Sequence, residues 1–324
     1  MKLYIRSSFM GMFLCFISSC LLSLGTMMVS RMTQFHPITK SFWRFAGTFL
    51  PSIFVVIYYA FKKESITDSF WPIRYDSFIV FVSLAFRSFF GCTAATLQYY
   101  SLKYMPLGDS SVICNCYPIF VTIFASVFLG EPFGGLFMLL STMVTLCGVG
   151  IVSRPPFIFG GEVNSELLIG AGLALGCSIF MAMAIVMIRH LHQIHHCITL
   201  VGFGMFGTAE AGALAWGFNV LEFPSQDIDI LKAFAIGLLS CGSQLFLIFA
   251  LKCDNAGPVA LVKSSDVLFA FLWQMVFIQT FPDLISIVGA IVMMSGIFLC
   301  GFRKYIDSLE ENNATKKMFW FVLK

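Results

Sequence analysis

The chain is written as a succession of apolar runs, each long enough to cross a hydrocarbon layer. A helix rising about 1.5 Å per residue needs some 20 residues to span about 30 Å. Such runs fall at 9–30, 38–61, 76–102, 107–129, 134–152, 166–189, 196–218, 230–251, 257–280 and 284–302 of the 324 residues. Lipid offers no partner for an open backbone group, so each run is expected to be a helix. Hydrophobic residues make up 58% of the chain and charged residues 11%, far from the roughly one quarter charged of soluble domains. Mean hydropathy is +0.88. A soluble core cannot absorb this composition. The first run follows Lys2 and Arg6, as a signal peptide does, but it exceeds the roughly 7–15 apolar residues of such a leader and reads as a retained span.

The runs divide into two sets of five that share spacing. His36-Pro37-Ile38-Thr39 leading to Gly47-Thr48 matches His196-Cys197-Ile198-Thr199 leading to Gly207-Thr208. Cys92, Ser101-Leu102-Lys103 and Gly108 match Cys241, Ala250-Leu251-Lys252 and Gly257. An odd number of spans per copy turns the second copy upside down, and inverted repeats around a midplane site are the usual build of a secondary carrier. The expected fold is therefore an all-α integral membrane bundle of ten transmembrane helices, made of two inverted five-helix repeats. The expected boundaries are 9–153 and 166–302 for the repeats, 154–165 for the bridge between them and 303–324 for a tail. Arg154-Pro155-Pro156 and Gly160-Gly161 break helical continuation within that bridge.

A net charge of +3 is too small and too scattered to suggest nucleic acid, so the useful question is where basic residues fall along the bilayer. With the N-terminus inside, Lys2, Arg6, Lys62, Lys63, Arg74, Arg189, Lys252, Arg303 and Lys304 are cytosolic. Arg31, Lys40, Lys103, Arg154 and Lys232 are outside. That bias favours both termini in the cytosol, in a plasma membrane or an endomembrane. The sequon Asn313-Ala314-Thr315 then stays unmodified.

Ionisable groups inside the spans carry the most information, because each costs roughly 2.5–3.5 kcal/mol at a helix centre. Arg44, Arg87, Glu210, Lys263 and Asp266 are deep enough to count. They are expected to face one interior hollow, although Arg44 and Lys263 are near enough to a helix end for snorkelling. Lys263, Asp266, Ala270 and Gln274 recur every three or four residues and share a helical face. Lys263 and Asp266 are spaced for an ion pair. Arg87, Gly91, Ala94 and Gln98 form a similar stripe, and Ser240 with Gln244 share a face. With Asn115, the substrate-pathway set is Arg44, Arg87, Gln98, Asn115, Glu210, Gln244, Lys263, Asp266 and Gln274.

No nucleophile stands with a base at readable spacing, and no cofactor signature occurs, so neither an enzyme nor a cofactor is expected. The eleven cysteines lie in or beside the spans and read as small apolar packing groups. His190, His192, His195 and His196 crowd one loop, but their spacing matches no zinc pattern and no metal site is assigned.

These residues resemble a family. Trp43-Arg44-Phe45, Pro106-Leu107-Gly108-Asp109 through Pro118 to Gly130-Glu131-Pro132, and Val152-Ser153-Arg154-Pro155-Pro156 are similar to motifs of the drug/metabolite transporter superfamily. So is Ala256-Gly257-Pro258-Val259-Ala260 through Lys263 and Asp266 to Trp273-Gln274. The resemblance is to EamA-type members, and among them to the G branch of the solute-carrier 35 group. It implies ten helices, cytosolic termini and a central cavity. The chain departs from the pattern in Lys263, where arginine is more usual, and in Cys116-Tyr117, where small hydroxyl residues are common. Thr280-Phe281-Pro282 stands where the second repeat would need a counterpart of Glu131, so the two gates are expected to differ.

The function expected is secondary transport of a small organic solute, an anionic metabolite, by alternating access around spans two, three, four, seven, eight and nine. Nucleotide-sugar or organic-cation transport on the same fold, or a membrane scaffold that transports nothing, are the alternatives. The partners expected are the solute and the lipid bilayer, with proton or ion coupling and homodimer formation left open.

Overall fold

The computed structural model describes residues 2–32, 34–61, 75–105, 107–131, 135–153, 165–223, 227–279 and 284–307. The bridge motif at 154–164, Lys62, Lys63, Arg74, Pro106, Pro132, Thr280 to Pro282, and Asn313 lie outside the described residues.

The helices are α1 (Lys2–Ser30), α2 (Pro37–Phe61), α3 (Tyr75–Tyr104), α4 (Leu107–Cys114), α5 (Tyr117–Leu129) and α6 (Gly135–Ser153) in the first half. The second half holds α7 (Ser165–His190), α8 (His196–Gly217), α9 (Asp227–Cys253), α10 (Ala256–Lys263), α11 (Asp266–Ile278) and α12 (Leu284–Asp307). Ten segments are long and apolar enough to cross a membrane, and they coincide with the ten apolar runs. Large apolar side chains such as Phe54, Phe61, Val127 and Leu284 stand on the outside of the bundle, as a chain solvated by lipid requires. The last helix continues to Asp307, so Arg303 and Lys304 are helical rather than part of a tail that starts at 303.

Two spans differ from the sequence expectation. The fourth span of each half is a broken helix, split between α4 and α5 at Asn115-Cys116 and between α10 and α11 at Ser264-Ser265. In the first half Pro118 has no amide hydrogen to return to the Cys114 carbonyl, which removes one helical bond at the break. The turn tightens instead, with Cys116 N–H donating to the Ile113 carbonyl at 3.1 Å. In the second half the same tightening links Ser264 to Leu261 at 3.3 Å and Ser265 to Val262 at 3.0 Å. A span-long hydropathy average does not register such breaks, because the polar step Lys263-Ser264-Ser265-Asp266 is outweighed by the apolar residues on either side of it.

The packing shows the two-fold relation of the halves. α1 packs on α9 and α3 on α7, two pairs that exchange when the halves are swapped. α2 packs on α8 and α6 on α12, pairs that map onto themselves. Glycine sets how closely some of these helices approach. A Cβ added at Gly47 would lie 2.7 Å from the Gly237 Cα, and one at Gly237 would lie 2.2 Å from the Gly47 Cα, so α2 and α9 cross backbone to backbone.

Candidate functional site

Both helix breaks border a cavity of about 720 Å³, within the range of small-molecule sites. Its lining runs from Asn115, Lys263 and Asp266 at the breaks to Phe35, His36, Lys40 and Lys103 at the end of the bundle where α1 stops and α2 starts. α1 and α7 contribute Ser23, Thr26, Met181 and Ile185, so spans one and six join the wall. Span seven contributes Phe203. The first helix of each half therefore takes a place that the sequence reading assigned elsewhere.

Eight of the nine candidate residues border this space: Arg44, Arg87, Gln98, Asn115, Gln244, Lys263, Asp266 and Gln274. Glu210 is not among the lining residues. It sits between α8 and α3, where its Oε1 accepts from the Thr93 hydroxyl at 2.9 Å. The expectation that all five intramembrane charges share one hollow is thus corrected. The α3 stripe is also corrected by one residue: Ala95 borders the cavity, while Ala94 is buried against Ala174 and Cys177 of α7.

The two arginines each reach a partner in the opposite half of the molecule. Arg44 donates from Nε to Ser240 Oγ at 3.3 Å and from Nη1 to the Tyr99 hydroxyl at 3.1 Å. Arg87 donates from Nη2 to Gln244 Oε1 at 2.9 Å, and its guanidinium lies 3.9 Å from the centre of the Phe203 ring. The shared face of Ser240 and Gln244 is the seat of two first-half arginines. Neither Arg44 nor Lys263 snorkels, since both are buried inside the bundle.

Lys263 and Asp266 make no ion pair within 4.0 Å: the Lys263 ammonium and Asp266 Oδ1 are buried without a hydrogen-bond partner. The break turns the chain between them, so helical spacing does not carry across. Arg87 Nε and Nη1 are likewise buried without acceptors. Buried donors left open are rare enough in folded proteins to require an explanation. Here three of them stand at a cavity wall.

Among the described residues, the opposite end of the bundle is tied together by a polar clasp. Arg189 Nε donates to Glu131 Oε1 at 2.8 Å, Nη1 to the Leu251 carbonyl at 2.8 Å, and Nη2 to Asn255 Oδ1 at 3.1 Å. Glu131 Oε2 accepts the Ala256 N–H at 2.9 Å, at the first turn of α10, where helix geometry favours an anion. One carboxylate and one guanidinium thereby tie together α5, α7, α9 and α10. Above this clasp, Val259, Ala260 and Leu261 are completely buried. At the cavity end Arg31 reaches the Phe277 carbonyl at 2.8 Å on an exposed surface. In the sequence Glu131 stands out only within its motif, and its partners are not legible there because they lie 58 and 125 positions away.

The histidine loop brings His195, His196 and Cys197 together, with ligand atoms within 4.8 Å of one another. The sequence reading did not count Cys197. This set could hold a soft metal ion by donor type, yet Lys252 places an ammonium on the Ile194 carbonyl beside it, which opposes a cation.

The family model described as EamA-like transporter family matches residues 9–154 and 168–302. Solute carrier family 35 member G1 of Homo sapiens is 29% identical over 309 residues, covering 92% of this chain and 80% of that protein. The pseudopaline exporter CntI of Pseudomonas aeruginosa is 28% identical over 212 residues, covering 65% of this chain and 72% of the exporter. A solved structure described only as "Crystal structure of protein" superposes with a TM-score of 0.74 at 14% identity, over 90% of this chain and 97% of that one; it shares the fold. The matched segments take in nearly all the described helices, and the chain is an integral multi-pass membrane transporter that belongs to the EamA-like transporter family.

Proposed function

We propose that the protein carries small organic anions by alternating access. The observation that carries this reading is the charge balance of the cavity. Arg44, Arg87 and Lys263 border it near the helix breaks, Lys40 and Lys103 border its mouth, and Asp266 is the carboxylate among the lining residues. A solute with negative charge meets three open donors, on Arg87 and Lys263, which its own oxygens can satisfy. The amides of Gln98, Gln244, Gln274 and Asn115 add neutral partners around the same space. A scaffold that transports nothing has no use for unpaired buried cations around an open volume, because their desolvation costs stability without return.

The clasp of Glu131 and Arg189 supports alternation. It ties together one end of the bundle while the cavity reaches the other, and the broken helices α4–α5 and α10–α11 stand between them. Discontinuous helices at matching positions of inverted repeats are the usual location of a carrier's site. In this reading the repeats are 9–153 and 166–302, the clasp faces the cytosol together with both termini, and the cavity opens away from it.

Reconstitution into liposomes with a panel of labelled carboxylates, nucleotide sugars and amines tests the assignment. Carboxylate uptake is expected, with loss in Arg87→Ala and Lys263→Ala protein that still inserts and elutes as the parent does. Normal uptake in both variants, or uptake restricted to amines, refutes it.

A further inference from the structure

We infer that Glu210 is a proton-binding site set apart from the solute cavity and linked to it through the α3–α8 contact. Glu210 lies seven residues before the end of α8 at Gly217, which places it about 10 Å inside the helix end at 1.5 Å per residue. Met205 and Trp216, on either side of it along α8, are 56% and 79% exposed on the outer surface of the bundle. Those residues lie on other faces of α8; the Glu210 carboxyl turns toward α3, in the seam between the two helices and outside the cavity lining. Oε1 accepts from Thr93, and Oε2 is buried without a donor. An ionised carboxylate so placed lacks the partners that make a buried charge tolerable. A proton on Oε2 removes the charge, and the Thr93 hydroxyl can serve either form, donating to the anion or accepting from the acid.

No neighbouring charge takes over that role. From α3, Cys92 is near enough to interact electrostatically with Glu210, but its thiol is directed to the Phe203 carbonyl at 3.8 Å. Arg87 on the same helix donates from Nη2 to Gln244 and stacks on the Phe203 ring, and its Nε and Nη1 make no hydrogen bond to Glu210. From α2, Arg44 is committed to Ser240 and Tyr99, and Lys40 borders the cavity. From α9, Asp229 and Lys232 pair with each other at 3.0 Å. Glu210 makes no ion pair with any of them.

The link to the cavity is mechanical. Thr93 and Arg87 are both on α3, and Glu210 and Phe203 are both on α8. The two helices therefore meet twice, once at the proton site and once where Phe203 stacks on the cavity arginine. A movement that parts α3 from α8 must disturb both contacts. Binding one proton at Glu210 removes one negative charge from that seam and favours the closed contact, while its release favours separation. The inference deepens the carrier reading by naming the site of the coupling ion, and its test needs no transported solute.

The full chain in nanodiscs is titrated by difference infrared spectroscopy, without solute. A carboxylic-acid carbonyl band that titrates with pH is expected, lost in Glu210→Gln and shifted in Thr93→Val, which removes the hydrogen bond but leaves the acid. In parallel, Asn115→Cys reports cavity opening through its labelling rate with a maleimide, corrected for the unsubstituted chain and for the thiol's own ionisation. The corrected rate is expected to depend on pH, and Glu210→Gln is expected to hold it at its low-pH value throughout. A band unchanged in Glu210→Gln, or a pH profile of labelling that survives the substitution, overturns the inference. The carrier reading stands or falls separately on Arg87→Ala and Lys263→Ala.

Discussion

Replacing Glu131 by glutamine tests whether the clasp holds one end of the bundle shut. The carboxylate accepts on both oxygens, from Arg189 Nε at 2.8 Å and from the Ala256 N–H at 2.9 Å. Glutamine is almost the same shape but offers a single acceptor oxygen, so one of the two donors must face its amide N–H. The two side chains of the ion pair are 21% and 13% exposed, which puts the pair among shielded, charge-assisted contacts rather than solvated surface bridges. Losing one such bond costs about 1.5–3 kcal/mol. If that cost falls on the clasped state alone, the ratio of clasped to open molecules drops by about 10- to 150-fold, since each 1.4 kcal/mol is a factor of ten. The assay is labelling of a cysteine placed at Asn115 by an impermeant thiol reagent, applied to right-side-out and inverted vesicles. Glu131→Gln is expected to raise labelling from the clasped side and lower it from the other. The charge exchange Glu131→Arg with Arg189→Glu is expected to recover part of the ion pair but not the bond to Ala256, and so to lie between. Unchanged labelling from both sides in Glu131→Gln would show that the clasp does not set the conformational balance.

Gly237→Ala is expected to lower the melting temperature in detergent, because its Cβ meets the Gly47 backbone of α2, whereas Gly172→Ala, with nothing within 4 Å, is expected to be neutral or slightly stabilising. Equal melting temperatures for the two variants would count against a backbone-to-backbone crossing. Asn313 is expected to carry no glycan when the chain is expressed in a secretory system, and a glycosidase-sensitive mass shift would reverse the assigned orientation. At the cavity mouth, burial and then the neighbouring Lys103 push His36 below its ordinary pKa of 6.5. Its ring is therefore neutral at neutral pH and gains a proton at more acidic pH than a free histidine. Anion uptake is expected to gain an acid-side rise that disappears in His36→Ala; an identical profile in that variant removes His36 from the pathway.

The span count, the two-fold repeat and most of the polar cavity wall could be read from residue order, because lipid imposes a simple rule on each segment. A helix in a bilayer satisfies its own backbone, so a run of about 20 apolar residues declares itself without knowledge of its neighbours. An arginine or lysine within such a run is likewise conspicuous, since it must find an interior. Arg87, Lys263 and Asp266 were visible for this reason. The break at Ser264-Ser265 was not, because a short polar step in a span reads the same whether or not the helix runs through it, and the break changes only which carbonyl each amide reaches.

Which charge meets which partner was a matter of tertiary structure alone. Glu210 and Arg87 have the same standing in sequence, yet one is bonded to Thr93 in the α3–α8 seam and the other stands at the cavity wall over Phe203. Arg189 was a loop-edge cation until the fold brought Glu131, Leu251 and Asn255 around it. The physical reason is the same in each case. Burial in lipid depends on a segment's own composition and is a local property, whereas the face a helix turns inward, and the partner it meets there, depends on how distant helices cross.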